Sequence, residues 1–247
     1  MLMRTKVFLR LWGACILGSV AVIPYIFSLT DLKGLPAPMS LMAMIKILQD
    51  AAFYGVVTWA GVWLCEQVGF RIPFFSEELE LKHVSCLIWR SIVCGVCVGM
   101  SILSLDLLLP HMGGPRINET TYIELFRGFM ASFYGAINEE VLLRLFFLSL
   151  FVWILIRIFG QKKRDSWISV SIIISSLLFG IMHLPTAAKL APLTVSIVAR
   201  VLFLNGISGI MFGILFTQCG LEAAMIAHFA ADILLHVLPA AAMMVFL

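Results

Sequence analysis

Seven apolar runs, at roughly 7–29, 40–68, 85–109, 121–158, 166–185, 193–217 and 220–246, account for most of the 247 residues. A helical bilayer crossing takes about 20 apolar residues, so each run is long enough to span. Hydrocarbon offers no partner to backbone N–H and C=O groups, so the runs are expected to be helical. Composition points the same way: 62% of residues are hydrophobic and 13% charged, against about 45–50% and 25% in a soluble domain. Soluble enzymes, nucleic-acid readers and secreted disulfide scaffolds are excluded, and a net charge of +3 is too small to imply a nucleic-acid partner. The expected fold is all-α. It is a polytopic membrane helix bundle of about seven transmembrane helices, one integral membrane domain over 1–247. Three N-terminal helices fall within 1–115 and the remaining runs within 120–246.

Several features set the boundaries. Arg4, Lys6 and Arg10 open the first run like a signal peptide, but the apolar core is too long and the exit at Pro24–Thr30 lacks a small-residue cleavage site, so it reads as a retained anchor. Pro36 and Pro38 break the chain before the second run; Pro110, Gly113, Gly114 and Pro115 break it after the third; Pro185 is expected to end the fifth. Thirty-eight helical residues in the fourth run would measure about 57 Å at 1.5 Å each, nearly twice a bilayer core. Its amphipathic start, Glu124 and Arg127 among Tyr122, Phe126 and Phe129, suits an interfacial helix that then turns inward. Lys and Arg gather on the N-terminal side (Arg4, Lys6, Arg10, Arg71, Lys82, Arg90, Arg157, Lys162, Lys163, Arg164) over the other (Lys33, Arg116, Lys189, Arg200). The N-terminus is therefore expected in the cytoplasm and the C-terminus outside, in a bacterial inner membrane. All six tryptophans (Trp12, Trp59, Trp63, Trp89, Trp153, Trp167) fall near cytoplasmic ends in this arrangement. The cysteines, Cys94 and Cys97 included, read as small buried hydrophobes. Gly206, Gly209 and Gly213 read as a close-packing face.

Charged groups inside apolar helices are costly and point to function. In Asn138-Glu139-Glu140-Val-Leu-Leu-Arg144, Glu140 and Arg144 stand at i,i+4 and pair, while Glu139 points about 100° away and is left unmatched. Phe179-x-x-x-His183 ends a run otherwise polar only in serines. His228, Asp232 and His236 recur every four residues on the last helix, where Asp232 is placed to fix the tautomer of His228. An interhelical ion-pair knot and a hydrogen-bonded structural histidine are the plainer alternatives. Lys46, Asp50, Glu66, Asp106 and Glu222 lie near predicted helix ends, where snorkelling accounts for them.

Together, Glu139-Glu140-x-x-x-Arg144, Phe179-x-x-x-His183 and His228-x-x-x-Asp232, in that order on three separate apolar helices, resemble the CPBP family of CAAX-type prenyl endopeptidases and bacteriocin-processing or immunity (Abi) membrane proteins. The resemblance covers about residues 120–235. It implies an intramembrane endopeptidase acting on a protein or peptide substrate in or at the membrane. Glu139 would be general base, His183 would help hold the water, and His228 with Asp232 would stabilise the oxyanion; Glu140, Arg144 and Phe179 would support the site. Prenyl-processing members carry Asn at the position of Asp232. Ionised Asp cannot donate a hydrogen bond, so either Asp232 is protonated or it acts through His228.

No cofactor is expected. Glu139, His183, His228 and Asp232 have the chemistry to bind zinc, but no HExxH is present and Arg144 sits beside the glutamates. Counted along the fifth helix, His183 falls about 25 Å from the cytoplasmic end, which suggests a pocket opening outward. Two other classes fit the buried charges: an ion- or proton-coupled transporter, and a non-catalytic immunity or interaction protein of the same fold.

Overall fold

The computed structural model describes residues 2–30, 37–76, 81–109 and 121–237. The breaks expected at Pro36 and at Pro110–Pro115, with Lys33 and Arg116, lie outside the described residues. The protein is an all-helical membrane bundle. Its α-helices are α1 (Leu2–Ala21), α2 (Ile23–Ser28), α3 (Met39–Val68), α4 (Leu81–Leu108), α5 (Thr121–Tyr134), α6 (Ser149–Phe159), α7 (Arg164–Leu190), α8 (Val195–Cys219) and α9 (Leu221–Asp232). Among the described residues six helical stretches are long and apolar enough to cross a membrane: Met3–Ser28, Met39–Val68, Val84–Asp106, Tyr122–Phe159, Gln161–Leu190 and Val195–Cys219. The seventh run is helical from Leu221 to Val237, its last turn π-helical, and its remainder to 246 lies outside the described residues.

The fourth run is helical from Thr121 to Phe159, passing through two π-helical segments, Gly135–Glu139 and Val141–Leu148. Its amphipathic start, α5, packs on one side against α1, α2 and α9, where Phe129 and Phe133 meet Phe229 with ring centroids 6.1 and 4.9 Å away, while Tyr122, Ile123 and Phe126 face outward. Pro185 does not end α7, which continues to Leu190. Proline forfeits one hydrogen bond, whereas a helix end there would orphan several backbone groups in an apolar setting.

One end of the bundle gathers the basic residues. Arg4 pairs with Glu66, Arg164 Nη2 donates to the Val68 carbonyl (2.7 Å), and Arg71 reaches the Gln218 carbonyl (3.4 Å). At this end the segment after α3 tucks under α9. Gly220, at φ +106°, lies so close to Pro73 that a Cβ would approach its Cδ to 2.6 Å. Glu222 is not an interfacial snorkeller: it is buried, and Oε1 accepts from the amides of Phe74 (2.7 Å) and Phe75 (3.0 Å). The rest of that set makes ion pairs, Lys46 with Asp50 and Arg200 with Asp106.

Helix α9 is the inner helix. Ala223, Ala224, Ala227 and Ala231 are all buried, and a Cβ on Gly95 of α4 would lie 2.2 Å from the Ala227 carbonyl oxygen. Gly209 and Gly213 pack on α7 as expected, at Ser176 and Ile172, whereas a Cβ on Gly206 would meet nothing within 4 Å. Cys15 and Cys65 are buried, but Cys86 and Cys97 face outward and Cys94 is half-buried. Small size admits cysteine to the core without requiring it there.

Candidate active site

Glu139 and Glu140 sit where the two π-helical segments meet. A π turn bonds i to i+5, which shifts the helix face by a residue, and such turns occur frequently at functional sites. Asn138 anchors the junction, its Nδ2 donating to the Cys15 carbonyl (2.9 Å) and to Ser19 Oγ (3.1 Å) on α1.

The two glutamates meet different surroundings. Glu140 and Arg144 are 0% and 1% exposed, with Oε1 and Nη1 3.1 Å apart. Arg144 Nη2 also donates to the Gly209 carbonyl (3.2 Å). Its guanidinium lies 4.8 Å from the Phe179 ring centre and 5.5 Å from that of Phe212, so two ring faces meet the rest of the charge. Glu139 is 21% exposed, and its Oε2 lies 3.9 Å from His228 Nε2.

His228 joins these groups. Its Nδ1 is 2.7 Å from Glu140 Oε1, the oxygen that also faces Arg144. A carboxylate only accepts, so Nδ1–H donates and the tautomer is set by Glu140. This corrects the expectation that Asp232 would set it. Asp232 Oδ1 lies on the other side, 3.6 Å from Nε2, and 3.9 Å from His236 Nε2. Phe212 stacks on the imidazole at 4.7 Å and 19°, and Phe179 meets its edge at 5.7 Å. Gly135 leaves the room: a Cβ there would stand 2.6 Å from Asp232 Oδ2 and 3.2 Å from His228 Nε2.

His183 approaches from α7. Its Nδ1 lies 2.9 Å from the Phe179 carbonyl, which can only accept, so Nδ1–H donates and Nε2 is left over. The Phe179 ring touches both imidazoles, 4.7 Å from His183 and 5.7 Å from His228. His183, His228, Asp232 and His236 line one cavity of about 310 Å³. Apolar Leu204 and Leu235 and polar Asp106, Asn205 and Ser208 complete much of its wall. Glu139 is not among the lining residues; it reaches the constellation through His228. The structure thus brings Glu140, Arg144, Phe179, His183, His228 and Asp232 together, with Glu139 at their margin.

Several members escape the sequence reading. Phe212 is one aromatic in an apolar helix, and nothing in its neighbours sets it apart. Gly135 carries no side chain to notice. Asn205 offered a signal, an amide amid an apolar run. Asp106 has its charge met by Arg200 while still lining the cavity. Among the described residues no three His, Cys, Asp or Glu side chains are disposed to hold a metal ion together.

The model of one protein family, type II CAAX prenyl endopeptidase Rce1-like, matches residues 121–234. No curated protein and no solved structure matches.

Proposed function

We propose, for a chain that belongs through residues 121–234 to the Rce1-like type II CAAX prenyl endopeptidase family of membrane proteases, a reaction in which Glu139 activates water inside the bundle. The observation that carries this reading is the division between neighbours. Glu140 is consumed by Arg144 and His228, whereas Glu139 makes no hydrogen bond among the described residues, its Oε2 standing 3.9 Å from His228 Nε2. A base must be free to take a proton, and only one of the two glutamates is.

Glu139 accepts a proton from a water that His183 Nε2 helps to hold. The hydroxide attacks the peptide carbonyl carbon, and the carbonyl π pair moves onto oxygen. His228, with Nδ1–H held by Glu140, donates from a protonated Nε2 to that oxyanion. Asp232, beside the same nitrogen, favours the proton there; it acts through His228 rather than donating itself. As the tetrahedral intermediate collapses, the C–N bond breaks and Glu139 returns its proton to the leaving amine. The buried Arg144–Glu140–His228 chain keeps this geometry without rearrangement during the reaction. The basic end of the bundle is taken as cytoplasmic in a bacterial inner membrane, with the site nearer the outer face. An impermeant thiol reagent acting on cysteines engineered beside Glu139 tests that placement: labelling from inside with protection from outside refutes it.

The reaction is tested by comparing membrane proteins in cells carrying the wild-type chain and Glu139→Ala. Proteins that accumulate uncut in the variant are expected, and Glu139→Gln and His183→Ala should accumulate the same set while remaining folded. Normal processing by Glu139→Gln would leave a non-catalytic role for the fold.

A further inference from the structure

An amide in mid-helix is expensive in a membrane unless something uses it. Asn205 stands near the middle of α8 (Val195–Cys219), and it lines the cavity that holds His183, His228 and Asp232. Its Nδ2 donates one hydrogen to the Val201 carbonyl of its own helix (2.9 Å). That bond spends one of four hydrogen-bonding positions. The second N–H and Oδ1 have no protein partner among the described residues, although the side chain is half-buried.

The other polar groups of the wall are committed differently. Ser208 donates its hydroxyl to the Leu204 carbonyl (3.3 Å). His183 and His228 direct Nδ1 to Phe179 and Glu140. Asp106 and Asp232 are carboxylates, and Asp106 is paired with Arg200. His236, more than half exposed, has Nε2 3.9 Å from Asp232 Oδ1. Asn205 presents a donor and an acceptor from one planar group at once, whatever the pH. That pattern is the complement of a main-chain peptide group.

Substrate conformation adds a second constraint. A helical substrate segment has its peptide groups bonded internally and none to offer Asn205.

We propose that Asn205 pairs with a main-chain peptide group of the substrate, and that the site accepts a segment of extended, unwound chain rather than a transmembrane helix. This rests on the protease reading above and names the conformational class of its substrate.

The test uses the proteins that accumulate uncut with Glu139→Ala. Asn205→Leu removes both hydrogen bonds in an apolar-compatible way; Asn205→Asp keeps the shape and the acceptor but loses the donor. Each is expected to slow processing of those same proteins by about tenfold or more, and Asn205→Leu to do so with an unchanged thermal midpoint for the purified full-length chain. Alanines placed around a mapped cleavage site, which favour helix, should slow processing, and glycines should speed it. Wild-type processing by Asn205→Leu overturns the assignment, as does wild-type processing by Asn205→Asp. Faster cleavage of the alanine-flanked substrate overturns the extended conformation. If Glu139→Ala accumulates nothing, the protease reading itself falls, and the Asn205 assignment falls with it.

Discussion

Glu139 and Glu140 are chemically identical neighbours, and replacing each with Gln should give opposite results. Glu140→Gln takes the negative charge from a carboxylate that is 0% exposed and leaves Arg144, 1% exposed, as an uncompensated buried cation. Breaking a buried pair in this way costs about 3–5 kcal/mol. The faces of Phe179 and Phe212 and the Gly209 carbonyl recover only part of this. For a chain of this length about 1 kcal/mol moves a thermal midpoint by 2–4 °C, so a loss of roughly 6–20 °C is expected for the purified protein in detergent. Glu139 is 21% exposed and makes no close ion pair, its nearest cationic partner being 3.9 Å away. Glu139→Gln should shift the midpoint by no more than about 2 °C while abolishing processing. The double variant Glu140→Gln with Arg144→Met removes both charges and should be more stable than Glu140→Gln alone, because the pair is coupled. Circular dichroism during heating, beside processing of proteins that accumulate in the Glu139→Ala strain, reads all three. Equal destabilisation by Glu139→Gln and Glu140→Gln would refute the division of roles.

Other sites give distinct signatures. Gly135→Ala drives a methyl to within 2.6 Å of Asp232 Oδ2; processing should fall sharply for a stability loss of about 1–3 kcal/mol, measured by the same melt. Asn138→Ala strands the Cys15 carbonyl and Ser19 on α1 and should cost about 1–3 kcal/mol, seen as faster proteolysis of the folded chain. Phe212→Leu removes the ring stacked on His228 and facing Arg144; a lower midpoint and slower processing should appear together, and an unchanged rate would show that the stack does not orient the imidazole. Dialysis against a chelator should leave processing unchanged, and a loss restored by zinc would overturn the metal-free reaction.

What the sequence made legible was charge out of place. Glu139, Glu140, Arg144, His183, His228 and Asp232 stand out because apolar helices tolerate such residues only with partners, and i,i+4 spacing already paired Glu140 with Arg144. The second partner of Glu140 was not legible, since the contact with His228 joins residues 88 apart in sequence. One local rule also pulled the wrong way. Proline ordinarily stops a helix, but α7 runs through Pro185. There the cost of orphaned backbone groups outweighs the local preference. Phe212 and Gly135 were invisible because their roles are shape and space, which a single sequence does not mark.

The thinness of α9 has an evolutionary corollary. Its alanines at 223, 224, 227 and 231 face neighbours with no slack, and Gly95 opposite touches bare backbone. A lineage could vary the lipid-facing surface of this bundle freely and still keep those five positions almost fixed. Methyl-sized residues there, more than any charged signature, would record how closely the outer helices must crowd the strut that carries His228 and Asp232.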